Sequence, residues 1–129
     1  MPTLEDVRRI ALALPETTET DSRGHASWRV KDKGFVWERP LRQADYDALG
    51  DAAPDGPILG ARVENLMAKE ALLGSDLGVY FTTPHFDGYP AVLIQLDRIS
   101  EEELTEVIVE AWLNRAPPKL AQKYLGEAQ

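Results

Sequence analysis

Apolar residues open the chain at helical spacing. Leu4, Val7, Ile10, Ala11 and Leu14 share one face before Pro15 intervenes, and Thr3 with Asp6 forms a capping box in which Asp replaces the usual Glu. The period then shortens. From Thr17 to Arg39 the residues alternate in short segments, Ala26, Trp28 and Val30 against Ser27, Arg29 and Lys31, and three strands fit this stretch. A turn at Asp32-Lys33-Gly34 joins the second strand to the third, Phe35-Val36-Trp37. Pairing Val30 with Phe35 then sets Trp28 across from Trp37 on one side of the ladder, an aromatic pair worth up to about 1 kcal/mol.

Further along, Arg42 to Leu49 reads as a short helix with Gly50 just past its end, and Ile58 to Val63 as an apolar strand after the loop Asp51 to Pro57. A small helix follows from Asn65 to Leu73, ending at Gly74. Two β-rich segments between Val79 and Leu96 flank a loop built from Pro84, Gly88 and Pro90, which predicts a hairpin. Ser100 with Glu103 makes a second capping box, and Leu104, Val107, Ile108, Ala111 and Trp112 trace the buried face of a longer helix. Pro117-Pro118 stops it, and Lys119 to Leu125 restarts as a terminal helix. The order α-β-β-β-α-β-α-β-β-α-α has too many adjacent strands for a doubly wound parallel sheet. It predicts a single α+β domain over 1–129, with a mainly antiparallel sheet and helices packed on one side.

Composition narrows the chemistry. The chain has 129 residues, no cysteine and a net charge of −8. Disulfides, thiolate metal sites and a cysteine nucleophile are therefore excluded. No apolar run approaches the roughly 20 residues needed to cross a bilayer, and the first residues carry no basic-then-apolar leader, so no membrane partner and a cytoplasmic location are expected. The averaged field repels phosphate polymers. The charge is uneven, however: Arg23, Arg29, Lys31, Lys33, Arg39 and Arg42 face only Asp32 and Glu38 in the same stretch, a local net of +4. Such a basic hairpin predicts weak, phosphate-mediated DNA contact, with Arg29, Lys31 and Lys33 central. The same long cations would also guard an exposed sheet edge.

His25 and His85 each lie near oxygen-bearing residues, but no metal-ligand spacing joins them, and no cofactor or metal is expected. Neither a Gly-x-Ser-x-Gly elbow nor a phosphate-cradling glycine loop occurs, so no catalytic residue is assigned and a non-enzymatic role is favoured. Glu101, Glu102 and Glu103 read as helix-start residues. Trp28, Trp37 and Trp112 read as core aromatics. Phe86 and Tyr89 sit in the hairpin loop, where they either fold back on the sheet or meet a ligand. The alternative function is accordingly a small-molecule or protein-interaction pocket around His25, His85, Phe86 and Tyr89.

Leu12-Ala-Leu-Pro-Glu16, Gly24-His25, Ser27-Trp-Arg-Val30, Phe81-Thr-Thr-Pro-His-Phe-Asp-Gly-Tyr-Pro-Ala-Val-Leu93, Glu103-Leu104, Ala111-Trp112 and Ala116-Pro117 occur in this order. Together they resemble the MmcQ/YjbR family of small bacterial proteins, with Gly24-His25-Ala26 standing where the family usually has Gly-His-Pro. The resemblance implies a compact α+β domain, sometimes described as a double wing, and a DNA-binding label.

Overall fold

Asp6 Oδ2 accepts from the Thr3 N–H at 2.8 Å and Thr3 Oγ1 accepts from the Asp6 N–H at 3.4 Å, so the first capping box closes and starts α1 (Leu4–Leu12). The computed structural model describes residues 2–22, 24–75 and 78–127. After α1 come β1 (Thr17–Ser22), β2 (His25–Val30), β3 (Lys33–Glu38), α2 (Gln43–Leu49), β4 (Ile58–Arg62), α3 (Leu66–Ser75), β5 (Tyr80–Phe81), β6 (Ala91–Gln95), α4 (Glu101–Arg115) and α5 (Pro118–Glu127). This is the order that the change of period predicts. The strands form one six-stranded sheet in the order β1-β2-β3-β4-β6-β5, antiparallel throughout, within a single α+β fold. The predicted hairpin is β5-β6, with Tyr80 opposite Ile94 and Phe81 opposite Leu93, and its loop turns at Gly88, whose φ of 75° suits glycine. The helix expected to end at Gly74 runs one residue further, to Ser75.

One sheet face carries the main core. Val7, Ile10 and Ala11 of α1 and Leu104, Ile108, Ala111 and Trp112 of α4 bury against Trp28, Val36, Leu59, Ala61, Val92 and Ile94, which strand alternation directs to that side. Leu72 and Leu73 of α3 and Leu120 and Tyr124 of α5 pack on its margin. The two large indoles there are satisfied: Trp28 Nε1 donates to Glu19 Oε1 at 2.9 Å and Trp112 Nε1 to the Pro15 carbonyl at 3.1 Å. Ser100 caps α4, but only half of the second box forms, because the Glu103 carboxylate instead accepts from the Tyr80 hydroxyl at 2.5 Å.

The expected Trp28–Trp37 pair does not form. The turn consists of Lys31 and Asp32, both left-handed with φ of 50° and 67°, and a bulge between Trp28 and Arg29 shifts the ladder so that Trp28 opposes Val36 and Ser27 opposes Trp37. Trp37 therefore faces the other side of the sheet. There a smaller cluster of Ile58, Phe86, Ala91 and Leu93 gathers, with Trp37, Leu41 and Phe81 against it.

Candidate functional site

The second sheet face is only partly covered, and what covers it is short-range structure. Pro84 starts a single 3-10 turn, Pro84–Phe86, whose N–H groups fold inward: Phe86 N donates to the Thr83 carbonyl at 2.9 Å and Asp87 N to that of Pro84 at 3.1 Å. This throws Phe86 onto the sheet, where it is buried, with its ring centroid 6.4 Å from that of Trp37. Lys69 of α3 holds the loop from behind. Its buried Nζ donates to the Phe86 carbonyl at 2.6 Å and the Tyr89 carbonyl at 2.9 Å. Burial disfavours the ammonium and lowers the Lys69 pKa, against the smaller opposing pull of the Asp87 charge.

Between this loop and the β2-β3 ladder lies an open cleft of about 1020 Å³. His25 and Arg29 come from β2, Trp37 and Glu38 from β3, Arg42 from the start of α2, and His85 and Tyr89 from the loop. The two histidines, far apart in sequence, thus border one concave surface. His25 Nδ1 stands 3.8 Å from Glu38 Oε1, an oxygen that also accepts from the Ala26 N–H at 3.2 Å. The His85 ring meets Phe86 edge-on at 5.0 Å. Tyr89 remains 42% exposed, with its hydroxyl accepting from Arg62 Nη1 at 2.7 Å and the Arg62 guanidinium 4.9 Å over its ring. Phe86 folds back on the sheet, then, while Tyr89 stays at the cleft mouth.

Among the described residues, the predicted basic positions do not form one ribbon. Lys31 Nζ pairs with Glu16 at 3.1 Å, Lys33 is exposed at the turn, and Arg23 lies outside the described residues. Arg39 is buried: its Nη2 reaches Asp45 Oδ2 at 3.0 Å, its Nη1 donates to the Pro40 carbonyl at 2.5 Å, and its guanidinium lies 5.3 Å from the Phe86 ring centre. Burial opposes the charge on Asp45, but the Arg42 N–H, donating at 2.9 Å, and the Arg39 charge outweigh it and hold that carboxyl below the ordinary aspartate value. Arg29 and Arg42 are the cations left to the cleft. The Arg29 Nε is shielded from solvent and has no hydrogen-bond partner among the described residues; its Nη1 makes only a 3.5 Å contact with the Asp32 carbonyl.

Sequence reasoning missed Trp37 as a cleft wall, Asp45 as the partner of Arg39 and Lys69 as the support of the loop. Asp45 had a signal, since it stands three residues after Arg42, where a helix-start acid belongs. Among the described residues no group of three or more His, Asp or Glu is placed to hold a metal ion, and no helix is long and apolar enough to cross a membrane.

The YjbR family model matches residues 12–114. Uncharacterized protein Mb2600 of Mycobacterium bovis and uncharacterized protein Rv2570 of Mycobacterium tuberculosis are each 48% identical over 131 residues, covering 99% of both chains. The crystal structure of Deinococcus radiodurans protein DR2400, a DUF419 domain, superposes with a TM-score of 0.68 at 20% identity, over 98% of this chain and 89% of that one, a likeness of fold.

Proposed function

The chain belongs to the YjbR family, and within that frame we propose that it is a binding domain whose cleft takes a small organic anion carrying a flat ring. The anionic group meets Arg29 and Arg42, and the ring lies between Trp37 and Tyr89 with the two histidines at its edge. The observation that carries this reading is the convergence of Arg29 and Arg42 with Trp37, Tyr89, His25 and His85 around one open cleft. A planar guanidinium with free donors suits a carboxylate or phosphate oxygen.

A second reading keeps duplex DNA as the ligand. It rests on Lys33 and Arg42, which are exposed and in no ion pair among the described residues, together with Arg29, and it loses the contributions of Lys31 and Arg39. One experiment separates the two. ¹⁵N-labelled protein is titrated with adenosine monophosphate and benzoate, and with inorganic phosphate and adenosine as half-ligands; a labelled duplex is titrated in parallel at several salt concentrations. Shifts confined to the cleft, weakened about tenfold or more by Arg29→Ala, support the small-anion reading. Shifts elsewhere, or an indifferent Arg29→Ala, refute it. Duplex binding with a steep salt slope that Lys33→Ala reduces supports the second.

A further inference from the structure

Helix α3 sets only part of its apolar surface, Ala68, Leu72 and Leu73, against the core. Its one residue buried outright is Lys69, while Leu66 and Met67 are 48% and 81% exposed. Along the side facing α4, Ala68, Ala71 and Leu72 line a groove of about 440 Å³ opposite Val107, and Glu106 and Glu110 rise along its α4 wall. Those two carboxylates stand one turn apart and pair with no cation among the described residues. Arg62 also borders the groove, but its guanidinium is turned onto Tyr89. An apolar floor with small side chains and an acidic wall, about 15 Å long by the rise of a ten-residue helix, has the form that receives an amphipathic helix.

We propose that the α3–α4 groove docks an amphipathic helix of a protein partner, its apolar stripe on Ala68, Leu72 and Val107 and its flanking Lys or Arg residues on Glu106 and Glu110. Charge selects this occupant. A second copy of this chain carries −8 overall, and its one cationic stretch runs through the strands β2 and β3 rather than along a helix that could enter the groove; an anionic bilayer would be repelled by the acidic wall. Leu66 and Met67 extend the apolar strip beyond the groove, which gives a longer helix somewhere to rest.

The test uses a fluorescent Leu/Lys peptide of about four helical turns with leucines at helical spacing, beside a peptide of the same composition in strict alternation. The helical peptide is expected to shift amides of α3 and α4 and to bind more tightly than its alternating counterpart. Glu106→Lys with Glu110→Lys is expected to weaken it about tenfold or more, and Asp51→Lys with Asp55→Lys, an equal change of net charge on exposed residues elsewhere, to leave affinity within about twofold. Ala71→Trp fills the groove at an exposed position and is expected to abolish binding with an unchanged melting temperature. Equal losses from both charge pairs, equal binding of the alternating peptide, shifts away from the groove, or no binding at all would each overturn the proposal. So would tighter association with phosphatidylserine vesicles than with the peptide.

Discussion

Replacing Gly60 with alanine adds one methyl group at the centre of β4, directly under Trp37. The two residues are ladder partners, and a Cβ at Gly60 would lie 2.4 Å from Trp37 Cε2, 2.5 Å from Nε1 and 2.8 Å from Cζ2. Carbon atoms rest at about 3.5 to 4.0 Å, so the indole must withdraw by about 1 Å or more. Phe86 packs against it on the loop side and restricts the retreat. Overpacking of this kind costs about 1–3 kcal/mol, and the entropy that alanine removes from the unfolded chain returns about 0.4–1 kcal/mol. The net loss is centred on about 1.3 kcal/mol and reaches at most about 2.6 kcal/mol, which corresponds to a fall in melting temperature of about 5 °C and at most about 10 °C for a domain of this size. Thermal melts by circular dichroism measure it, and tryptophan emission reports the displaced ring. The decisive comparison is a double-mutant cycle with Trp37→Leu, in which Gly60→Ala should become nearly neutral. A Gly60→Ala protein as stable as the parent, or a penalty that persists without the indole, would refute the reasoning.

Asp45→Ala should cost about 3–5 kcal/mol, because it leaves Arg39 charged, buried and unpaired; a urea midpoint unchanged from the parent would contradict this. The same carboxylate sets an acid dependence. Its folded pKa lies below the ordinary 3.8, so its contribution is complete above that value and is lost as pH falls through the lower folded one, and the gap in stability between parent and Asp45→Ala should close in that window. Lys69→Met removes both hydrogen bonds to the hairpin loop, and hydrogen exchange at the Asp87, Tyr89 and Ala91 amides should accelerate by about tenfold while the α4 amides stay protected. Uniform acceleration across the molecule would show that Lys69 supports the whole fold rather than the loop.

The element order was legible because the apolar period switches cleanly between helix and strand at Pro15, Pro40 and Ser100. Register was not. Gly34 looks like the turn residue, yet Lys31 and Asp32 take the left-handed positions, and the bulge after Trp28 then sends Trp37 to the opposite face from the one that alternation assigns it. His25, His85, Phe86 and Tyr89 were visible as candidates, and so were Arg29, Arg39 and Arg42, but as two separate groups. Their meeting at one cleft depends on how β2 and β3 lie relative to the β5-β6 loop, which no local pattern encodes. Lys69 shows a different limit. A lysine inside Leu66 to Leu73 reads as the solvated side of a helix, and only the two loop carbonyls behind it reverse that assignment.

The two lateral borders of the sheet have a consequence for how the molecule behaves in company. One is β1, Thr-Thr-Glu-Thr-Asp-Ser, without an apolar side chain along its length, and the other is β5, only two residues long. A neighbouring backbone arriving at the first meets carboxylates and nothing greasy to share, and at the second it finds rungs for barely one pair of residues. Ribbon-like growth buries no apolar side chain of this sheet at the first margin and finds almost no ladder at the second, which disfavours polymerisation when molecules crowd.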